Sequence, residues 1–265
     1  MYRSNILKIK EGCPELIESY GISYANKINP NVTKLKKILD RQSLEIKIAK
    51  NKELIKIVEN VICNFYRRFL ENDYIFILCD VDGYAIKILS DRYLHDYLKK
   101  INIIEGISFR TEDSGTNAIN LAIANKKQIE LEGKYHYCNL FNNWYCTAAP
   151  IIDYNNGEII GYLDLSYIGN CNINDQSIIL RNIVNCIETK LMYREVTCCV
   201  ISKLNILEIE ILRFLSIGKE RKEICSEIAI SERTLRRHLD KIYKILDVKN
   251  EVAAVAEAIR RGIID

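Results

Sequence analysis

The segment Ser231–Leu246, SERTLRRHLDKIYKIL, constrains this 265-residue chain more than any other. Leu235, Leu239, Ile242 and Leu246 recur at the i, i+4, i+7, i+11 spacing that places them on one face of a helix. Arg233, Arg237 and Lys244 fall on the opposite face, with Arg236 and Lys241 on its flanks. Ser231 is placed to cap the start, because its hydroxyl can accept from an amide of the first turn. A helix with an apolar back and a basic front suits a DNA major groove, where guanidinium groups reach phosphates and guanine edges. Upstream, Glu220–Ile228 predicts a short helix with Ile224 and Ile228 on one face, and Ala229 and Ile230 turn the chain into Ser231. Two short helices joined by a tight turn, the second basic, make a helix-turn-helix unit. Leu204–Leu215 predicts a helix before it, ended by Gly218 as a left-handed C-terminal glycine, and Val252–Ile259 predicts one after it. The positive charge is local. Residues 201–265 hold 13 Lys and Arg against 11 Asp and Glu, whereas Ser231–Lys244 holds five basic residues against two acidic.

These motifs resemble the LuxR-type (GerE-like) DNA-binding domain. The matching stretches are LNILEIEILRFLSIG at Leu204–Gly218, KEI at Lys222–Ile224, ISERTLRRHLDKIYKIL, DVKN at Asp247–Asn250 and AVAEAIRRGII at Ala254–Ile264. The resemblance implies a small four-helix domain that reads double-stranded DNA as a homodimer. Lys222, Ser231, Arg233, Thr234, Arg236, Arg237, His238, Lys241 and Lys244 are its candidate DNA contacts. Val252, Val255, Ala256 and Ile259, one stripe of the last helix, are the candidate dimer contacts. Two positions depart from the family. Asp240 lies on the groove-facing side, where a neutral or basic residue is usual, which implies altered base preference with binding retained. Glu220 and Arg221 replace the common Ser-Asn pair.

The rest of the chain has the composition of a soluble globular protein, 48% apolar and 28% charged. The start, MYRSNILKIKEG, lacks an apolar core and a cleavage site. The long uncharged stretch Tyr135–Ile152 carries Asn139, Asn142, Asn143 and Pro150, so no membrane span and a cytoplasmic location are expected. Ten cysteines without a CxxC, two of them the adjacent Cys198 and Cys199, read mostly as reduced, buried thiols. Residues 1–70 read as mainly helical. Asn31–Arg41 and Ser43–Leu70 carry Leu44, Ile48, Leu54, Ile55, Val58, Ile62, Phe65 and Phe69 at helical spacing. Strands are predicted over Tyr74–Asp80, Tyr84–Leu89, Gln128–Leu131, Trp144–Ile152 and Glu158–Ser166, with hairpin turns at Asp82-Gly83 and Asn155-Asn156-Gly157. Helices are predicted over Asp91–Lys100, Ser114–Ala124 and Asn174–Val196. The whole is an α+β domain followed by a helical one.

This middle region resembles the GAF domain of the regulators of acetoin catabolism. The motifs are DVDG at Asp80–Gly83, GISF at Gly106–Phe109, TEDSGTNAINLAI at Thr111–Ile123, GKYHY at Gly133–Tyr137, WYCTAAPIID at Trp144–Asp153 and GEIIGYLDLS at Gly157–Ser166, with IESYG at Ile17–Gly21 upstream. Those regulators usually continue into an ATPase module, and no GxxxxGK[ST] loop occurs in this chain. The resemblance therefore implies a regulator that acts by binding DNA and touching or blocking RNA polymerase. It also implies a pocket for a small-molecule effector lined by Phe76, Phe109, Thr116, His136, Trp144, Cys146 and Leu163. Ser114–Asn117 read first as a structural cap and second as an anion site. His136, Cys138 and Cys146 leave open a metal, haem or redox sensor. An enzyme recruited to DNA by its tail has no catalytic constellation behind it, and no cofactor is expected. The expected organisation is a helical N-terminal extension (1–50), a GAF-like sensor (51–170), a connector helix (171–200) and the helix-turn-helix domain (201–265).

Overall fold

A computed structural model describes residues 6–66, 74–169, 173–201 and 204–264. The chain divides into two compact units, 1–189 and 190–265. As expected, the fold is α+β, a sheet with flanking helices followed by a helical tail.

The first unit is built on a six-stranded sheet of order β1-β4-β5-β6-β2-β3. Its strands are β1 (Leu7–Lys8), β2 (Tyr74–Cys79), β3 (Ala85–Leu89), β4 (Ile129–Glu132), β5 (Trp144–Ile152) and β6 (Ile159–Ile168). All neighbours pair antiparallel except β1 with β4. β1 was not foreseen. Two residues of mixed polarity give no period to read, and only the Gln128 and Glu130 carbonyls draw the Leu7 and Ile9 amides into the ladder.

Alternation along the strands divides the core. Ile75, Ile77, Ile129, Leu131, Trp144 and Cys146 are buried in one cluster with Ala118, Leu121 and Ala122 of α6 (Ala118–Asn125). The other face meets α3 (Lys52–Tyr66) and the start of α7 (Ile173–Ile201). There Gly161 approaches Leu54, and the Ser177 hydroxyl lies 3.2 Å from that of Thr147. Leu54, Val58, Ile62, Leu180, Ile183 and Ile187 are buried, as a helical stripe requires.

Three expected helices are redrawn. Residues 31–40 are not helical: the Leu35 amide bonds the Ile101 carbonyl, Leu39 bonds Gly106, and Ile38 bridges Ile107. Burial of Leu35 against the domain outweighs weak helical periodicity. Residues 43–66 form two helices, α2 (Arg41–Lys50) and α3, broken at Asn51, whose side chain turns back to the Lys47 carbonyl. Phe69 and Leu70, assigned to that stretch, lie outside the described residues, as do the side chains of Phe65, Cys198 and Cys199. The segment 114–124 is also two helices, the short α5 (Thr111–Ser114) and α6. Gly115 parts them at φ +71°, ψ 179°, a conformation that only glycine adopts without strain. Asn117 then caps α6, accepting from the Asn120 amide at 3.0 Å while Asn120 accepts from the Asn117 amide at 3.1 Å. Two further helices complete the unit, α1 (Pro14–Ala25) and α4 (Arg92–Lys100).

The second unit holds α8 (Ile206–Ser216), α9 (Arg221–Glu227), α10 (Glu232–Leu246) and α11 (Glu251–Arg260). Ile211, Leu212, Ile224, Leu235, Leu239, Ile242, Leu246, Ala254 and Ala258 form its buried centre. Gly218 follows α8 at φ +79°, as the helix end requires. Among the described residues no helix is long and apolar enough to cross a membrane.

The backbone at Gly115 yields a direct test. A Cβ there would meet the Tyr137 ring at 3.0 Å on a left-handed backbone. Gly115→Ala is expected to destabilise the protein by about 1–3 kcal/mol, read from urea unfolding of the full chain.

Candidate nucleic-acid interface and interior cavity

The basic helix α10 is positioned by its own apolar stripe. Leu235, Leu239, Ile242 and Leu246 are each no more than 1% exposed. Their burial aims Arg233, Arg236, Arg237 and Lys244 at solvent, and Lys222 of α9 is exposed as well. Among the described residues, these five cations enter no ion pair. Ser231 caps α10, its hydroxyl accepting from the Thr234 amide at 3.2 Å and lying 2.9 Å from the Thr234 hydroxyl. Ala229, at φ +52°, makes the turn between α9 and α10. A concavity of ≈ 300 Å³ opens at the start of α10, lined by Arg221, Glu232, Arg233, Leu235 and Arg236. Arg221 there pairs with Glu251 of α11 at 2.7 Å. Asp240 is exposed on the same helix.

His238 and Lys241 turn elsewhere, toward Glu208 of α8, whose side chain is fully buried. Lys241 donates to the carboxylate at 2.9 Å and His238 Nδ1 lies 3.2 Å away. The Asn205 amide donates a third bond at 2.9 Å, completing the cap of α8. Burial pushes the Glu208 carboxyl up, but the Asn205, Lys241 and His238 bonds outweigh it and hold the group below its usual range. The buried carboxylate ties α10 to α8. Periodicity could not reveal this, because Glu208 reads as an ordinary polar residue in a first turn.

On α11, Val252 is 81% and Ile259 48% exposed. Ala256 is exposed beside them and Val255 is half-buried, so the proposed dimer stripe faces outward.

In the first unit, a cavity of ≈ 20 Å³ lies between the sheet and the start of α6. That is room for about one water molecule. Phe109, His136, Trp144 and Cys146 line it, together with Ile77, Asn117, Ala118, Ile119, Phe141, Asp164 and Ser166. Phe76 and Leu163, also expected there, are buried on the opposite face, one strand position away from Ile77 and Asp164. Thr116 bonds Ser19 of α1 at 2.8 Å and does not line the cavity. Asp164 was missed, although a lone acid alternating with apolar residues in GYLDLS was the available signal.

The polar lining is unusual for a core. Asp164 is 2% exposed and accepts from the Ser166 hydroxyl at 2.5 Å. Desolvation outweighs that bond and lifts its carboxyl to about 7. His136 Nδ1 lies 3.2 Å from the Gly133 carbonyl, and the Glu132 carbonyl is a second acceptor beside the ring. Burial lowers the imidazole to about 4, keeping it neutral near pH 7. The Cys138 thiol donates to the Ser114 carbonyl, and the Cys146 sulfur lies 3.1 Å from the Ser166 hydroxyl oxygen. Among the described residues no three His, Cys, Asp or Glu side chains gather as a metal site needs.

The family model for bacterial regulatory proteins of the luxR family, GerE, matches residues 203–258. The spore germination protein GerE of Bacillus subtilis (strain 168) is 40% identical over 58 residues, 22% of this chain and 78% of that protein. The chain belongs to the LuxR family of bacterial regulatory proteins. This LuxR-family protein is also 26% identical over 152 residues to the acetoin dehydrogenase operon transcriptional activator AcoR of Bacillus subtilis (strain 168). That match covers 57% of this chain and 25% of the relative. The chain spans about a fifth to a third of the length of the first curated relatives it matches. In fold, it is similar to the Escherichia coli DhaR(N)–DhaL complex, with a TM-score of 0.62 at 14% identity, covering 68% of this chain and 60% of that one.

An acid whose folded pKa lies above its unfolded value destabilises the fold as pH rises through that window, here from about 4 to about 7. Asp164→Asn is therefore expected to gain stability relative to wild type between pH 5 and pH 8. The gain is on the order of 2–4 kcal/mol, measured as the difference between the two thermal unfolding profiles. Glu208→Ala, by contrast, is expected to cost about 1–3 kcal/mol by removing charge-assisted bonds to α10. Chemical denaturation followed by far-ultraviolet circular dichroism checks it.

Proposed function

We propose that the protein is a sequence-specific, DNA-binding transcription regulator that works as a homodimer and is controlled by a small molecule held in the first unit. The observation that carries this reading is the set of unpaired, outward guanidinium groups on α10 within a LuxR-family helix-turn-helix. Arg233, Arg236 and Arg237 meet phosphates and base edges, Lys222 and Lys244 add phosphate contacts, and Ser231 and Thr234 hold the start of the helix near the backbone. His238 and Lys241 act differently from the others. Their bonds to Glu208 set the pose of α10, and Lys241 remains half-exposed for a phosphate.

Dimerisation is supported by the outward stripe Val252, Ala256 and Ile259, with Val255 at its edge. Pairing two copies through it would present two α10 helices about one turn of DNA apart. Sensing is supported by the polar cavity in a GAF-like core, and α7 is the connector through which its occupancy biases the dimer. RNA polymerase is the downstream partner, contacted or blocked by the bound dimer. A cytoplasmic location goes with that role. The division into an extension (1–50), a sensor (51–170), a connector (171–200) and a reader (201–265) remains part of the proposal.

The test is a mobility shift of promoter fragments across salt concentrations. Affinity should fall steeply with salt, by about 0.9 in log–log slope for each phosphate contacted. Arg236→Ala or Arg237→Ala is expected to cost about 1–3 kcal/mol in specific binding where the side chain reads a base. Wild-type affinity in both variants would refute the placement of α10 in a groove.

A further inference from the structure

We propose that Arg221, tethered by Glu251 of α11, is a phosphate clamp. Its guanidinium grips one backbone phosphate of duplex DNA in the concavity at the start of α10 and so sets the register of that helix in the groove. The inference rests on the DNA-binding reading above and adds a contact and a positioning residue that lie outside the basic face of α10.

Arg221 is the first residue of α9, one of the two positions that depart from the Ser-Asn pair common in the family. Its Nε donates to the Glu251 carboxylate at 2.7 Å, and the Tyr243 oxygen of α10 is a second acceptor. A guanidinium carries five N–H donors in a rigid fork, so three remain for a ligand. Glu251 is itself fixed in place. Asn250 caps α11, accepting from the Ala253 amide at 2.8 Å, and Ala254 and Ala258 are buried. An arginine held along one edge has already lost much of the side-chain freedom that a contact would cost. The neighbouring Lys222 has no such tether among the described residues.

The concavity supplies the seat. Arg221, Arg233 and Arg236 line it with the buried Leu235, and Glu232 is the one carboxylate in the lining. Three guanidinium groups against one carboxylate favour an anion, and ≈ 300 Å³ has room for a phosphodiester. The start of α9 is not the attraction, because Glu223 already takes the Glu220 amide at 2.7 Å. A phosphate fits better than a base edge. The first helix of a helix-turn-helix crosses the DNA backbone, and a tethered fork cannot follow base edges along the groove. A brace between α9 and α11 is a weaker account of the pair, since the Arg221 side chain is 56% exposed and exposed ion pairs stabilise a fold little.

The experiment measures binding of the full chain to two fluorescent duplexes of unrelated sequence by anisotropy, from about 50 to about 200 mM KCl. Arg221→Ala is expected to flatten the log–log salt slope by about 0.9, the share of one phosphate. Its loss of affinity is then about 3.5-fold greater at the low-salt end than at the high-salt end, and equal on both duplexes. Glu251→Ala breaks the same ion pair but keeps the guanidinium. Its line should run parallel to wild type at lower affinity. A wild-type slope in Arg221→Ala overturns the proposal, as does a loss confined to one duplex. Equal flattening in both variants, the mark of a structural brace, overturns it too, and so does a Glu251→Ala affinity at or above wild type. Circular dichroism checks folding, and Arg221→Gln, which keeps most of the stem, repeats the slope measurement should Arg221→Ala misfold. Absence of salt-dependent binding by the wild-type chain overturns the DNA-binding reading itself. A steep wild-type slope that Arg221→Ala leaves intact overturns the clamp alone.

Discussion

Burial of one leucine–isoleucine stripe on α10 controls the second unit. Four side chains at helical spacing are driven into a shared centre with Ile211, Leu212 and Ile224. Once they are inside, the helix has one rotation available to it. Its arginines must face water, and guanidinium groups without ion-pair partners among the described residues are what a nucleic acid can use. The core and the candidate interface are two sides of the same packing event.

Rotation alone leaves tilt and translation free, and a buried charge restrains them. Glu208 reaches from α8 to His238 and Lys241, with the Asn205 amide completing its bonds. A carboxylate at zero exposure tolerates little displacement, because each lost donor leaves an unpaired charge in a poor solvent. Two of the residues that look like DNA contacts in a list of basic positions are thus also part of the scaffold. Basic charge on a recognition helix does not by itself say what it is for.

The first unit applies the opposite chemistry. Its cavity is walled by aromatic and aliphatic side chains and carries one acid, one imidazole and one thiol. Desolvation raises the acid and lowers the imidazole, so burial favours the uncharged form of both.

Much of this was legible from the residues alone. The period of 3.6 in 231–246, the caps at Ser231 and Asn117, and the hairpin signals around β3 and β6 are local features, and local physics sets them. The α+β class, the four-helix tail and four of the seven expected cavity residues, Phe109, His136, Trp144 and Cys146, came from that source and from family resemblance. Phe76 and Leu163 show where it fails. In a run as apolar as YIFILC, nothing in the chain says which parity faces the cavity, and a slip of one residue moves a side chain through the sheet. Only pairing β2 with β6 puts Ile77 opposite Asp164 and settles which face is which. The same holds for β1, for the non-helical 31–40 segment and for Glu208. Their partners lie tens of residues away, and no window along the sequence contains both ends of those interactions.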